Sequence, residues 1–476
     1  MTYDEQKIAR IVDTVVKKIR AYQVYPGVEN IPMTPGGGIF QGIEEAINAA
    51  ETAYSKLMEL SLEKRKELIQ SMRETGVKHA RYLAELAVQE TGLGRLEDKV
   101  AKNLLCARKT PGVENLVSTT WTGDRGLTLI EMGPYGVIGS ITPCTNPAAT
   151  IINNGISMVA AGNCVVFNPH PLSKRVTNEA IRLMNRAIIE EGGPENVLTS
   201  IVEPTIQTAQ VIMKHPKIRC LVVTGGGEVV KAAMTSGKKT IAAGPGNPPV
   251  IVDDTANIKK AARGIVEGAS FDNNIVCIAE KEVFAFENIT DRLKAEMQKY
   301  GAYEVVGKQI DELVDLIFKD PRGHPHPVIN RDFIGKDARL ILEHLGISVS
   351  DDIRLIIVEV PSDDHPLVVA EQLMPILPIV RVKTIEEALE KAKKAEHGFK
   401  HTATMWSDSL GNLSLVARHI ETTIFVKNAP SFAGLGYGGE GFTSMTIAGP
   451  TGEGLTCARI FTRQRRCVLV DAFRIV

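Results

Sequence analysis

The sequence predicts a soluble α/β protein of two or three domains with parallel sheets, and three observations support this prediction. Short apolar runs alternate with longer helical stretches over most of the chain, as strands joined by helical crossovers do. The length of 476 residues exceeds what one ordinary hydrophobic core accommodates, so we expect two or three domains. The composition, 44% hydrophobic and 23% charged, is that of a soluble globular protein.

Residues 1–23 predict an amphipathic helix. Its apolar side chains recur at helical spacing and share one face: Ile8, Ile11, Val12, Val15, Val16 and Ile19. Residues 24–38, rich in proline and glycine, then predict a linker. The helix either folds back on the main domain or docks on another protein, and the linker favours docking.

The segments that follow show the alternation in chain order. Residues 38–110 are predicted to be mostly helical, and strands alternate with helices from about residue 128. The candidate strands of this part are YGVIGSITP, NCVVFNP, NVLTSIV, RCLVVTGG and PPVIVDD. A second alternating series covers about residues 261–430. The chain ends in a β-like run suited to pairing with another element, in the same subunit or in a partner.

Several classes of function are disfavoured by charge and residue spacing. The net charge of −1 gives no general attraction to nucleic acid or to an anionic membrane, and no apolar stretch is long enough to span a bilayer. The seven cysteines form no CxxC pair, which argues against a disulfide framework or zinc site and favours a reducing cytoplasm. His324 and His326 alternate with prolines and have no visible third ligand, so we expect no metal site.

Two glycine clusters invite a phosphate-binding interpretation. Gly434, Gly436 and Gly439 form a GxGxxG pattern, but no helix follows it, so a loop that shapes a ligand channel is favoured. In CLVVTGGGEVVKAAM, a buried-strand pattern runs into glycines at 225–227 and a helix begins near Glu228. Backbone N–H groups at such a helix start attract a diphosphate, whereas the alternative is a plain strand-to-helix turn.

Cys277 lies in FDNNIVCIAEK, among small, polar and β-branched residues. Taken alone, a single cysteine is more often a buried apolar side chain than a nucleophile. The residues themselves therefore leave both roles open.

Longer motifs relate the chain to a known family. They are ETGLGRLEDKVAKN, YGVIGSITPCTNPAATIINN, VVTGGGEVVKAAMTSGKK, AAGPGNPPVIVDDTA, GASFDNNIVCIAEK, EQLMPILPIV and GLGYGGEGFTSMTIAGPTGEG. Through them the sequence resembles the aldehyde dehydrogenase superfamily over nearly its whole length. Within it, the sequence is similar to the CoA-acylating propionaldehyde and acetaldehyde dehydrogenases of propanediol and ethanolamine utilisation.

The resemblance implies a particular division of an aldehyde-dehydrogenase-like α/β fold. A Rossmann-like cofactor domain without the usual glycine fingerprint is expected at 39–116 and 134–244, and the catalytic domain at 245–447. A β-arm that joins subunits into a dimer or tetramer is expected at 117–133 and 448–476. Residues 1–23 are then a targeting helix that docks on a shell protein of a bacterial microcompartment, with 24–38 as the linker.

The resemblance also assigns the site residues. It makes Cys277 the nucleophile, and the Cys277 backbone N–H and the Asn146 amide the donors to the oxyanion. Other members place an asparagine one position earlier, at Thr145, so Asn146 has the alternative role of shaping a turn before a proline. Glu371 is expected to hold the nicotinamide ribose, with a solvated surface acid as the alternative. The remaining cofactor contacts are expected at Thr142, Pro143, Thr224, Gly225 and Gly226.

A missing glutamate indicates the reaction. Hydrolytic members carry a glutamate that activates water where this chain has Ala242, and alanine cannot accept a proton. We therefore expect a short aliphatic aldehyde to be oxidised reversibly with NAD and to leave as its CoA thioester. The alternatives are a hydrolytic aldehyde dehydrogenase and an interaction protein that works through the N-terminal helix. NPHP at 168–171 replaces the lysine and glutamate that usually bracket the adenosine ribose, which leaves NAD versus NADP open.

Overall fold

The computed structural model describes residues 34–320 and 327–476. The helix predicted in residues 1–23, most of the predicted linker, and the His324 and His326 pair lie outside these ranges. Within the described ranges, no helix is long and apolar enough to cross a bilayer.

The elements alternate along the chain as the apolar runs predict. The helices are α1 (Ile43–Met58), α2 (Leu62–Lys78), α3 (Ala80–Thr91), α4 (Leu96–Lys109), α5 (Pro147–Ala160), α6 (Lys174–Glu190), α7 (Ile206–Lys214), α8 (Gly227–Met234), α9 (Ile258–Ser270), α10 (Glu287–Gln298), α11 (Lys308–Ile317), α12 (Ala338–His344), α13 (Pro366–Val369), α14 (Ile385–Ala395) and α15 (Leu410–His419). The strands are β1 (Ile39–Phe40), β2 (Thr119–Gly123), β3 (Gly126–Pro134), β4 (Val137–Ile141), β5 (Cys164–Asn168), β6 (Leu198–Ile201), β7 (Ile218–Thr224), β8 (Lys239–Ala243), β9 (Pro249–Val252), β10 (Glu282–Phe286), β11 (Ala302–Glu304), β12 (Leu355–Glu359), β13 (Ile376–Val382), β14 (Thr402–Trp406), β15 (Ile424–Lys427), β16 (Ile447–Ala448), β17 (Gly454–Leu455) and β18 (Thr462–Val470).

The first half of the chain forms a six-stranded parallel sheet in the order β1-β6-β5-β4-β7-β8. Every residue of β4, β5 and β6 is buried, which explains why these strands read as unbroken apolar runs. From β4 the chain builds outward through β5 and β6, then returns to place β7 on the other side of β4. This reversal of strand order creates a crevice at the carboxyl ends of β4 and β7.

The second half forms a seven-stranded parallel sheet in the order β11-β12-β13-β10-β9-β14-β15. Its strands are again mostly buried, and Phe284 and Trp406 are among the largest fully buried side chains. The segment with Cys277 connects α9 to the central strand β10. The predicted parallel α/β architecture is confirmed by the two sheets.

A three-stranded antiparallel sheet, β18-β3-β2, stands apart from both parallel sheets in topology. The C-terminal β-run pairs along its whole length with β3 of the same chain, from Thr462 opposite Pro134 to Val470 opposite Gly126. Apart from Thr462, the residues of β18 are exposed, apolar ones included.

The packing of the first sheet gives a test of the fold. A Cβ atom added at Gly139, in the middle of β4, would lie 2.3 Å from Cγ2 of Ile212 and 3.2 Å from Cδ2 of Leu221. Gly139→Ala should therefore destabilise the protein by about 1–3 kcal/mol, since a close-packed core absorbs an added methyl group only by distortion. The midpoint of thermal unfolding measures this effect.

Gly411→Ala is the matched control. The added Cβ atom meets only Oγ of Ser409, at 3.7 Å, and the position lies inside α15. Alanine is favoured over glycine in a helix by up to about 1 kcal/mol, so the midpoint should stay or rise slightly. Equal midpoints for the two variants would contradict the packing described around β4.

Candidate active site

The segment that presents Cys277 begins with three successive residues in the left-handed backbone region. Asp272, Asn273 and Asn274 have φ angles of 48°, 53° and 64°. Asp and Asn tolerate this conformation because their short side chains hydrogen-bond to nearby backbone. Asn274 Nδ2 donates to the carbonyls of Ala269 at 2.7 Å and Glu280 at 2.9 Å, which ties both ends of the loop together.

Cys277 itself is partly accessible, and the backbone of Gly246 presses against it. A Cβ atom at position 246 would lie 2.7 Å from the Cys277 carbonyl oxygen and 3.0 Å from Cγ of His401. The N–H of Gly246 donates to Oε1 of Glu371 at 3.3 Å. The structure thus brings the predicted nucleophile and the predicted ribose-binding glutamate to the same glycine.

The electrostatics of this pocket keep the thiol protonated at rest. Burial raises the pKa of the Cys277 thiol to about 12, Glu371 acts in the same direction, and Lys281 and Lys102 oppose them. Burial also raises the pKa of the Glu371 carboxyl, against the effect of Lys281. Both raised pKa values mean that the pocket disfavours negatively charged groups. A positive charge brought into this pocket therefore favours the Cys277 thiolate.

Asn146 lies at the N-cap of α5 and is 8% exposed. Its Oδ1 accepts a hydrogen bond from Nζ of Lys102, and its Nδ2 donates to Oγ1 of Thr145 at 3.2 Å. Lys102 also lines a small cavity together with Val276 and Ile278, the residues on either side of Cys277. The Asn146 amide is therefore linked to the surroundings of the thiol through a lysine.

The predicted cofactor contacts collect at the crevice between β4 and β7. Thr142 and Pro143 follow β4, and β7 ends at Thr224 before Gly225 and Gly226. Because Ile141 is paired with Val223, these two strand ends lie side by side. The sequence-predicted residues are thus neighbours in space, at the edge where α/β sheets bind ligands.

Two local features of this crevice fit a dinucleotide. Oγ1 of Thr142 is buried and has no hydrogen-bond partner among the described residues. Gly226 is the N-cap of α8, and a Cβ atom added there would have no neighbour within 4 Å. An orphaned hydroxyl group and open N–H groups at a helix start suit a phosphate-bearing ligand.

Several polar residues of the site have no role in the sequence-based prediction. His401 is 1% exposed, its Nδ1 lies 2.9 Å from Oγ1 of Thr402, and its Nε2 has no partner in the described part of the chain. Burial lowers the pKa of His401 to about 4, with Lys281 acting in the same direction, so the ring is neutral. Lys281 donates to the carbonyl oxygen of Asn274 at 2.7 Å. Lys99 and Lys102 are two further residues that the sequence-based prediction did not use. Their spacing of three residues, which places both on one buried face of a helix, was the signal available in the sequence.

The cavity lined by Val276 and Ile278, the sequence neighbours of Cys277, is formed mainly by apolar side chains. The three rings that close it are stacked at an angle, with centroid distances of 5.4 Å for Phe271 and Phe432 and 5.2 Å for Phe432 and Tyr437. Tyr437 belongs to the glycine-rich segment that we expected to shape a ligand channel, and it lines this cavity. No helix follows that segment directly, so the GxGxxG pattern does not open a helix.

Comparisons with known proteins agree with this geometry. A model of the aldehyde dehydrogenase family matches residues 40–443, and the chain belongs to the aldehyde dehydrogenase family. The chain is 48% identical over 475 residues to the acetaldehyde dehydrogenase (acetylating) EutE of Salmonella typhimurium, an alignment that covers 99% of this chain and 100% of that protein.

Two solved structures are similar over most of the chain. A propionaldehyde dehydrogenase from the Clostridium phytofermentans fucose utilisation bacterial microcompartment has a TM-score of 0.89 and 47% identity, covering 92% of this chain and 100% of its own. The propionaldehyde dehydrogenase of Rhodopseudomonas palustris, solved with bound CoA and an acylated cysteine, has a TM-score of 0.89 and 46% identity, with coverage of 92% and 99%.

The contact between Gly246 and Cys277 yields a prediction. In Gly246→Ala the added methyl group must push away the Cys277 carbonyl and the His401 ring, which lie 2.7 and 3.0 Å from its position. A displacement of this size at the predicted nucleophile should lower kcat by about 100-fold. Steady-state NADH formation measures the loss.

Gly123→Ala serves as the reference variant, because its added Cβ atom has no neighbour within 4 Å in the antiparallel sheet. Its kcat should equal that of the wild type. Full activity in Gly246→Ala would show that the close approach at Cys277 has no bearing on catalysis.

Proposed function

We propose that this chain is a CoA-acylating aldehyde dehydrogenase that converts acetaldehyde or propionaldehyde, NAD and CoA into acyl-CoA, NADH and a proton. One observation carries the proposal: Cys277 and Glu371 both contact Gly246, while the position of the hydrolytic glutamate holds alanine. Ala242 is fully buried within β8 and offers no carboxylate. The acetylating relative and the relative solved with CoA and an acylated cysteine support the same reaction.

In the first half of the reaction, the Cys277 sulfur gives up its proton, which leaves to solvent as the proton of the overall reaction, and bonds to the aldehyde carbon. The carbonyl oxygen becomes an oxyanion, which the Cys277 N–H and the Asn146 amide stabilise by donating hydrogen bonds. A nicotinamide dinucleotide held by Thr142, Thr224 and Gly226 at the β4–β7 crevice and by Glu371 would supply the two-electron acceptor for the hydride of that carbon. The carbon–oxygen double bond then re-forms, and the aldehyde carbon, now oxidised, remains on Cys277 as a thioester.

In the second half, the acyl group passes to CoA. The CoA sulfur bonds to the thioester carbon, the Cys277 sulfur leaves, and the proton of the CoA thiol replaces the one that Cys277 lost. One thioester replaces another, so little free energy changes and the sequence of steps runs in both directions. Water, without a carboxylate base at position 242, competes poorly for the same carbon.

NAD is the proposed cofactor, and side-chain pairing at the end of β5 supports it over NADP. Asn168 is engaged by α7, since its Oδ1 accepts from Oγ1 of Thr208 at 2.7 Å. The ammonium group of Lys174 lies 2.5 Å from the carboxylate of Glu203. A cation already paired with a carboxylate is a weak partner for an additional phosphate group, such as that of NADP.

Assembly and location follow from the arm and the N-terminal segment. We propose that β2, β3 and β18 join subunits into a dimer or tetramer, because Val468, Leu469 and Val470 are exposed apolar side chains on a long outer strand. We also propose that the enzyme works in a bacterial microcompartment and docks on a shell protein through residues 1–23. The relative from a fucose utilisation microcompartment supports this location.

The proposed reaction is tested by its dependence on Cys277 and on CoA. Wild-type enzyme should form NADH continuously from propionaldehyde and NAD only when CoA is present, with acyl-CoA as the product. Cys277→Ala should lower this rate by more than about 10³-fold, because the covalent bond is lost, and leave NAD affinity nearly unchanged. NADH absorbance and a fluorescence titration with NAD provide the two measurements.

Cys467→Ala, which changes an exposed cysteine, is the control and should behave as wild type. Continuous release of free acid without CoA would instead identify the hydrolytic reaction. Near-normal activity in Cys277→Ala would refute the assignment of the nucleophile.

The docking role of residues 1–23 has its own test. Burying one Val or Ile side chain contributes roughly 1.5–3 kcal/mol, so a few contacts hold a helix in a groove even after the cost of ordering it. Deletion of residues 1–23 should leave kcat and KM almost unchanged and abolish co-sedimentation with purified shell protein. Val12→Asp combined with Val16→Asp, in the full-length chain, should have the same effect. A deletion that cripples kinetics would show that this segment packs on its own domain.

A further inference from the structure

Two buried lysines of α4 share one carboxylate behind the site. Lys99 and Lys102 are 3% and 4% exposed, and Asp272 is 0% exposed. Nζ of Lys99 lies 3.1 Å from Oδ2 of Asp272, and Nζ of Lys102 donates to the same oxygen. Because the lysines are three residues apart, they lie on the same face of α4.

Neutralising Asp272 requires only one of these lysines. Burial by itself would raise the pKa of the Asp272 carboxyl, but Lys102 and Lys99 hold it below its ordinary value, so the group is ionised. Burial lowers the pKa of Lys99 to about 8, and the neighbouring Lys102 acts in the same direction. Burying a charge beyond those needed for pairing is unfavourable, so a purely structural ion pair does not account for both lysines.

Another contact of Lys102 explains why the chain keeps a second buried lysine here. Its ammonium group also donates to Oδ1 of Asn146, and an ammonium group has no acceptor to offer. If the Asn146 amide flipped, its NH₂ group would face the cation, so the lysine fixes which end of the amide is available. Nδ2 carries two hydrogens and uses one toward Thr145, 3.2 Å away, which leaves one donor free.

We infer that Lys102 is a positioning residue for the oxidation step: it holds Oδ1 of Asn146 so that the amide N–H is aimed at the oxyanion on the Cys277 adduct. The inference rests on the proposed function. Lys102 acts through Asn146, and its side chain lines a cavity together with Val276 and Ile278, the sequence neighbours of Cys277.

The test uses the first half of the reaction alone. Rapid mixing of enzyme and NAD with propionaldehyde, without CoA, gives a single burst of NADH whose rate reports the oxidation step. In Lys102→Met the burst rate should fall by about 100-fold, as expected when an oxyanion donor is lost. NAD affinity should not change, and Lys102→Arg should recover part of the rate because a guanidinium group also donates to Oδ1.

A double-variant comparison separates positioning from a structural role. In the Asn146→Ala background, Lys102→Met should cause little further loss, since the group through which it acts is gone. If the two losses multiply instead, Lys102 does not work through Asn146 and the inference is overturned. Lys99→Met keeps the contact between Lys102 and Asn146, so its burst rate should fall much less; a loss equal to that of Lys102→Met would also overturn it.

Lys238→Met is the matched control, because Lys238 is a partly buried lysine whose ammonium group donates to the carbonyls of His215 and Ile218, which belong to the first half of the chain. Its burst rate should equal the wild-type rate. The burst does not involve CoA, so an enzyme that shows the burst but fails to turn over with CoA would refute the proposed acyl transfer and leave the assignment of Lys102 intact.

Discussion

The carboxylate of Asp272 joins the two halves of the chain at the site. It accepts hydrogen bonds from Lys99 and Lys102, in the first half of α4, and from the N–H of Arg95 at the N-cap of that helix. The Asp272 N–H in turn donates to Asp98 at 2.9 Å, which completes a reciprocal link between the helix and the Cys277 loop. The left-handed backbone at 272–274 persists because these contacts determine it on several sides. The position of Cys277 relative to α4 therefore depends on one buried anion.

The two parallel sheets place the polar residues of the site next to strand ends, as their topology leads us to expect. In each sheet the polar residues of the site follow the carboxyl end of a strand or the helix that leads into the next strand. Thr142 and Thr224 end neighbouring strands of the first sheet, and Cys277 precedes the central strand of the second. Strand interiors are left to apolar packing, and substitutions at the loops change chemistry with little effect on the core.

The fold was largely predictable, because buried parallel strands and amphipathic helices have periodicities that survive in the sequence. The site was predictable where the family resemblance supplied it, as for Cys277, Asn146 and Glu371, whose roles remain proposals. Glu371 shows the limit of local reasoning: nothing around it in sequence indicated that its carboxylate accepts from the Gly246 N–H, 125 residues away.

The contacts of the site that the sequence did not reveal join residues that are distant in the chain. Lys102 and Asp272 are 170 residues apart, and neither has a local pattern that indicates the other. His401 immediately precedes β14. Its neutral ring, and an Nε2 without a partner among the described residues, become visible only in the folded structure, where Gly246 lies against the ring. Buried polar networks are set by tertiary contacts, which single-chain periodicity does not encode.

The protonated state of Cys277 has a consequence for the life of the enzyme in a cell. Peroxides and alkylating electrophiles react with thiolates far faster than with thiols. A sulfur whose pKa is raised to about 12 by burial and by Glu371 is a poor target for them while the site is empty. We therefore expect the pocket that holds the predicted nucleophile also to slow oxidation of its sulfur between turnovers.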